Sequence, residues 1–118
     1  MRIVYVEDNL TNIALVERIC RMSDDQLTTF VDAETALSQI QPDSTDLILM
    51  DLHLGNHSIN GLELTRLLRQ KGVDVPVIGI TAYDTLFRGQ YETAGLDTYV
   101  EKPVAVQDML NLINTYRS

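Results

Sequence analysis

Leu47-Ile48-Leu49-Met50-Asp51 is a run of four apolar residues closed by one acid. A short, wholly apolar run suits a strand buried on both faces of a parallel sheet, where helices cover each side. The acid then falls at the strand's carboxyl end. The same layout stands at Ile3-Val4-Tyr5-Val6, which leads into Glu7 and Asp8. Three further runs read as strands. Leu27-Thr28-Thr29-Phe30-Val31 is β-branched and aromatic. Val75-Pro76-Val77-Ile78-Gly79-Ile80 precedes Thr81, with Pro76 tolerable near its start. Thr98-Tyr99-Val100 precedes Glu101, Lys102 and Pro103.

Helical patterns separate these runs. The first covers Asn9 to Arg21, with Asn12, Val16, Ile19 and Cys20 on one stripe and Asp8 or Asn9 as its cap. Asp32 caps a short helix from Ala33 to Gln41, which Pro42 closes. Gly61 to Gln70 carries Leu62, Leu64, Leu67 and Leu68 and ends at Gly72. A fourth helix reads over Leu86 to Ala94 and stops at Gly95. Pro103 is expected to open the last, with Val106, Met109, Leu110 and Ile113 as its buried stripe. Met22, Met50 and Met109 are expected in the core. The order is β then α, five times over. That predicts an α/β fold, with a parallel sheet covered by helices on both faces. An open, doubly wound (βα)5 sheet is favoured, since a closed barrel needs about eight units.

Composition narrows the class. The chain has 118 residues, 45% of them apolar, which suits one domain with a core of its own. Lys and Arg number 9 against 17 Asp and Glu, a net charge of −8. An acidic balance argues against nucleic acid or an anionic membrane as partner. The single Cys20 excludes an intrachain disulfide and fits a reducing compartment. No apolar run approaches the roughly 20 residues of a membrane span. Met1-Arg2-Ile3-Val4 lacks a signal-peptide layout, so a cytoplasmic location is expected. No linker, repeat or low-complexity stretch divides the chain.

In open doubly wound sheets the working site lies beyond the carboxyl ends of the strands. Here those ends carry Glu7 and Asp8, then Asp51, then Thr81, then Glu101, Lys102 and Pro103. Each alone has an ordinary reading: a helix cap, a solvated loop acid, a turn threonine, a surface lysine. Their joint placement is harder to explain that way. Clustered carboxylates must raise a pKa or take a counterion. Oxygen ligands with room for water suit Mg²⁺. Lys102 offers a point positive charge to an anion. One carboxylate could then act as a nucleophile toward phosphorus, with lysine and metal neutralising the transferring group.

At these residues the sequence resembles the receiver domain of two-component response regulators. The resemblance spans essentially the whole chain. It rests on Val6-Glu7-Asp8-Asn9, Ile48-Leu49-Met50-Asp51-Leu52, Ile80-Thr81-Ala82, Tyr99 and Glu101-Lys102-Pro103. It implies a flavodoxin-like, CheY-like fold with strand order 2-1-3-4-5 and a single receiver domain over residues 1–118. Asp51 would be the phosphoacceptor, taking the phosphoryl group of a phosphohistidine. Glu7, Asp8 and Asp51 would hold Mg²⁺, Asp8 directly and Glu7 mainly through water, with the backbone carbonyl of His53 as a further ligand. Thr81 would bond the phosphoryl oxygen and move toward it. Lys102 would pair with the phosphate, and the Lys102-Pro103 bond would be cis. Tyr99 would be the aromatic switch, although on its own it reads equally as a half-buried strand tyrosine. The implied partners are a sensor histidine kinase or histidine phosphotransfer protein and a downstream effector. The oligomeric state would be a monomer or a phosphorylation-dependent dimer. The resemblance implies no enzyme in the ordinary sense, only self-catalysed transfer and slow autodephosphorylation.

Two departures stand out. Gly55 occupies a position where the family commonly has Pro, and the segment from Asp51 to Gly61 is a couple of residues longer than usual. They motivate a second reading, a pseudo-receiver that binds partners without taking phosphate. A third reading, a phosphate-ester hydrolase with Asp51 as nucleophile, rests on fold analogy alone. The identity of the residue at His53 would tune phosphoryl lifetime through the attacking water. His53 and His57 could instead serve a transition metal, though two His on a loop do not close a ligand set. Leu15, off the buried stripe, is a candidate partner contact or a half-buried helix residue. No output domain is expected within these residues. The early start of the first strand leans toward a stand-alone regulator.

Overall fold

A computed structural model describes residues 1–54, 59–81 and 94–117. The elements are β1 (Arg2–Val6), α1 (Leu10–Met22), β2 (Gln26–Phe30), α2 (Ala33–Gln39), β3 (Leu47–Asp51), α3 (Gly61–Gln70), β4 (Val77–Thr81), β5 (Thr98–Glu101) and α4 (Val106–Thr115). The helix read over Leu86 to Ala94 falls, but for Ala94, outside the described residues. One five-stranded sheet runs β2-β1-β3-β4-β5, every neighbour parallel. This is the strand order implied by the resemblance.

The period of two along each strand divides the core into halves. Val4, Val6, Ile48, Met50 and Val77 face α2 and α3, where Ala33, Ala36, Leu64 and Leu68 meet them. Ile3, Tyr5, Leu47, Leu49, Ile78 and Ile80 face α1 and α4, where Ile13, Val16, Ile19, Met109 and Ile113 meet them. β3 and β4 are buried along their full length, as central strands covered on both sides must be. Among the described residues no helix is long and apolar enough to cross a membrane.

Several sequence expectations are corrected. Met22 is 64% exposed, because it ends α1 about 200° round the helix from buried Cys20. Val106 is half exposed, in the first turn of α4, and the buried face there is Met109 and Ile113. Pro103 does not open that helix. The Lys102 N–H still bonds the Thr81 carbonyl at 2.7 Å, so the chain is on the sheet at 102 and turns helical only after Ala105. Ile13, not Asn12, completes the buried stripe of α1, and Asn9 caps it by accepting from the Asn12 N–H. Val31 lies outside β2 and is exposed. β4 starts at Val77, because Val75 gives its carbonyl to Arg69 and not to a ladder.

That arginine ties the ends of β4 and β5 to α3. Its guanidinium donates to the carbonyls of Val73 (2.9 Å), Val75 (2.7 Å) and Gly95 (2.8 Å) and to Asp97 Oδ2 (3.0 Å). Asp97 in turn accepts from the Val77 N–H at 2.8 Å. Gly95 has φ +104°, and a Cβ there would stand 2.9 Å from Arg69 Cγ. A second polar clamp closes the opposite side of the sheet. The Asp25 carboxylate, fully buried, accepts from Arg117 (2.7 and 2.9 Å), the Met1 nitrogen (3.0 Å) and Ser23 Oγ (2.6 Å). These partners, Arg117 foremost, hold Asp25 well below the usual carboxylate range against the opposing effect of burial.

Arg69 therefore predicts a stability effect that charge alone cannot rescue. Arg69→Lys is expected to lower unfolding free energy in urea by about 1–3 kcal/mol, since one ammonium cannot serve four acceptors in a fixed fork. A loss below a few tenths of a kcal/mol would contradict this role.

Candidate acidic site at the strand ends

The register of the sheet builds the site. Val6 pairs with Met50, so the next residues, Glu7 and Asp51, emerge side by side. Asp51 pairs with Ile80, and Thr81 with Glu101, which puts Thr81 and Lys102 on the other flank. Carboxylate oxygens of Glu7, Asp8 and Asp51 lie within 4.8 Å of one another. Glu7, Asp51 and Thr81 are buried, and Asp8 is exposed at the rim.

Lys102 Nζ lies 3.3 Å from Glu7 Oε1 and 3.5 Å from Asp51 Oδ1, one cation between two buried acids. Glu7 Oε1 also accepts from Asn12 Nδ2 (2.7 Å) and Tyr5 Oη (3.1 Å). Asp51 Oδ1 accepts from the backbone N–H of His53 at 3.0 Å. His53 Nε2 stands 2.9 Å from Thr81 Oγ1. Tyr99 is half-buried on β5, packed against the core half that includes Val4 and Met50. The Lys102–Pro103 peptide is cis. Gly55 and His57 lie outside the described residues.

The two buried acids cannot both ionise at low cost. Burial first, and Glu7 second, push the Asp51 carboxyl up to about 7. Burial works against ionising Glu7 as well, but its hydrogen bonds with Asp51, Asn12 and Lys102 outweigh that and keep it below the usual range. Burial and the Glu7 charge raise the Tyr5 phenol, so it stays a donor. Burial and then the nearby Lys102 charge lower the His53 imidazole, which favours its neutral form.

The donor set fits Mg²⁺. Glu7 Oε2 is buried without a hydrogen-bond partner among the described residues, a lone pair left over beside two other carboxylates. Hard oxygen ligands at about 2.1 Å from a cation sit about 3–4 Å apart, within the spread observed. The rim is open on the Asp8 side, where water can complete the shell.

Tyr5 and Asn12 were not legible as site residues. Asn12 reads as helix stripe, and nothing in its local sequence pairs it with Glu7. Gly61 was legible only as a helix start. A Cβ there would overlap the Asp51 carbonyl oxygen and stand 2.7 Å from Leu52 Cα, so glycine lets α3 begin against the end of β3. A cavity of about 370 Å³ opens beside Lys102 between α1 and α4, lined by Leu15, Val16, Ile19, Val104 and Met109 among others. Leu15 is 37% exposed, at the boundary between the two readings its sequence position allowed.

These features define a doubly wound α/β domain with a buried acid pair, a lysine and a threonine at the carboxyl ends of its strands. The family model described as the response regulator receiver domain matches residues 3–114, and the chain belongs to that family. Among curated relatives, the alkaline phosphatase synthesis transcriptional regulatory protein SphR of Synechococcus elongatus is 31% identical, over 92% of this chain and 46% of its own length. The response regulator MprA of Mycobacterium avium is 31% identical, over 93% of this chain and 48% of its own. The chain thus spans about half the length of these relatives. Among solved structures, the receiver domain of sensor histidine kinase PA1611 from Pseudomonas aeruginosa matches with a TM-score of 0.85 and 28% identity, over 98% of this chain and 95% of that one. That structure has a magnesium ion coordinated in its active site cleft. A CheY-like receiver domain protein from Methanospirillum hungatei matches with a TM-score of 0.85 and 25% identity, over 97% and 90%.

The raised Asp51 carboxyl has a stability consequence. A carboxyl whose folded pKa exceeds its unfolded value near 3.9 binds more protons when folded. Its contribution is therefore largest below pH 4 and is lost as pH rises through about 7. Asp51→Asn is expected to stabilise the metal-free protein by about 1–3 kcal/mol at pH 8, with the gain fading toward pH 4. Mg²⁺ should then stabilise the parent protein more than the variant. Urea unfolding at the two pH values, with and without Mg²⁺, checks both signs.

Proposed function

We propose that this receiver domain is a phosphoacceptor switch in a two-component or phosphorelay system, with Asp51 as the acceptor. One observation carries the reading most. Asp51 is a buried carboxylate at the end of β3, with Lys102 Nζ 3.5 Å away and two further acids beside it. A carboxylate so placed has a cation ready for the charge that a phosphoryl group brings, about −1.5 to −2.

In the proposed reaction an Asp51 carboxylate oxygen attacks phosphorus. The bond from phosphorus to the donor imidazole nitrogen breaks, and the imidazole leaves and takes a proton. The product is an acyl phosphate on Asp51. Lys102 pairs with the phosphoryl oxygens, and the Thr81 hydroxyl donates to one of them. Glu7, Asp8, Asp51 and the His53 carbonyl would hold Mg²⁺, which when bound offsets the charge on the transferring oxygens. Tyr5 and Asn12 keep Glu7 oriented toward that group. The phosphorylated state then shifts an existing equilibrium, through Thr81 and Tyr99, at the face formed by the helix read over Leu86 to Ala94, β5 and α4. The protein would act as a switch with slow self-dephosphorylation, not as a turnover enzyme.

The donor would be a sensor histidine kinase or a histidine phosphotransfer protein, and the output a downstream effector. Exposed Leu10 and Leu15 on α1, beside the site, are the proposed apolar contacts for the donor. A cytoplasmic location and the lack of direct nucleic-acid contact follow from the same reading and from the net charge of −8.

Incubation with Mg²⁺ and acetyl phosphate tests the proposal. Intact mass is expected to show one labile phosphoryl adduct, absent from Asp51→Asn. Lys102→Ala is expected to slow its formation about 10²-fold. An unmodified parent protein under these conditions would instead favour the pseudo-receiver.

A further inference from the structure

We propose that His53 restrains the Thr81 hydroxyl in the unphosphorylated protein, so that phosphorylation must displace this contact before Thr81 can serve the phosphoryl group. The inference rests on the reading of Asp51 as phosphoacceptor and assigns His53 a side-chain role in the same site. His53 Nε2 lies 2.9 Å from Thr81 Oγ1, within good hydrogen-bond distance. Both residues are pinned from behind. The His53 N–H bonds Asp51 Oδ1 at 3.0 Å, and Thr81 ends β4 with no exposed surface, its carbonyl bound by the Lys102 N–H at 2.7 Å. Each backbone is thus held by a hydrogen bond, and one ring nitrogen meets one hydroxyl.

The consequence follows from competition. With Nε2 unprotonated the ring accepts the Thr81 hydroxyl proton, and a phosphoryl oxygen on Asp51 must compete for that same proton against what the resting partners, His53 among them, already supply. The contact with His53 therefore belongs to the resting state, and it reduces the pull toward the switched one. His53 is a positioning residue, because it acts through Thr81 and not on phosphorus. Removing the ring should favour the arrangement in which Thr81 faces Asp51. One net hydrogen bond corresponds to a change of about two- to tenfold.

The test is a double-mutant cycle with a spectroscopic check. The rate of adduct formation at fixed, sub-saturating acetyl phosphate and Mg²⁺ is measured for the parent, His53→Ala, Thr81→Val and the double variant. His53→Ala is expected to react about two- to tenfold faster than the parent. The same change in the Thr81→Val background is expected to have no effect. A slower His53→Ala, or an equal effect in both backgrounds, would overturn the proposal, since the ring would then act by orientation or by bulk. In parallel, the imidazole ¹⁵N shifts of His53 are recorded. They should move on Thr81→Val, and move the same way when the parent is held phosphorylated by excess donor. Shifts that ignore both changes would also overturn it. If instead no adduct forms on the parent protein, the phosphoacceptor reading fails, while the Thr81→Val shift still reports on the His53–Thr81 bond.

Discussion

Glu7 and Asp51 are both buried, both acidic, and share a single lysine. The rest of the molecule is arranged around that crowding. In the parallel register of β1 and β3, Val6 stands beside Met50, and the two carboxylates must leave the sheet next to each other. Lys102, delivered from the end of β5, touches both but can balance only one negative charge. Asp8 adds a third acid at the rim. A proton, a divalent cation, or a change at Asp51 itself can relieve the imbalance. The site is therefore sensitive by construction to what occupies it.

The scaffold keeps that imbalance from relaxing. Glu7 is held away from solvent, because Tyr5 from β1 and Asn12 from α1 both donate to Oε1. Asp51 cannot retreat, because α3 begins against its carbonyl, in a space that only glycine leaves at position 61. The two halves of the core lock the strands from both faces. At the far end of the sheet, Arg69 and Asp25 fasten the helices and termini with charge-assisted hydrogen bonds. Rigid strands and anchored helices leave the chemistry in the short segments beyond the strand ends, where a small displacement of Thr81 or Lys102 can be felt.

Much of this is legible in the sequence. Wholly apolar four-residue runs have few homes other than a central parallel strand. Their polar successors marked Glu7, Asp8, Asp51, Thr81 and Lys102 as candidates. Local reading failed where a long-range partner overrode it. Met22 is apolar but lies past the covered part of α1. Pro103 is a good first helical residue, yet the sheet still holds its neighbour Lys102. Asn12 reads as one polar position in a stripe, and its role comes from a glutamate five residues back that the fold turns toward it. Asp25 and Arg117 are 92 positions apart, and no spacing rule could pair them.

The alternation of strands and helices is written along the chain, and with it which residues stand at strand ends. Periodicity and turn chemistry are local, so they can be read along the chain. Which strand ends are neighbours, and that one lysine serves two buried acids, follow only from the folded arrangement. That arrangement also sets the His53 ring on the Thr81 hydroxyl and leaves one Glu7 oxygen without a hydrogen-bond partner among the described residues. Hydrogen bonds and charge coupling act over a few ångströms of space, and proximity of that kind between distant residues is set by strand order and register.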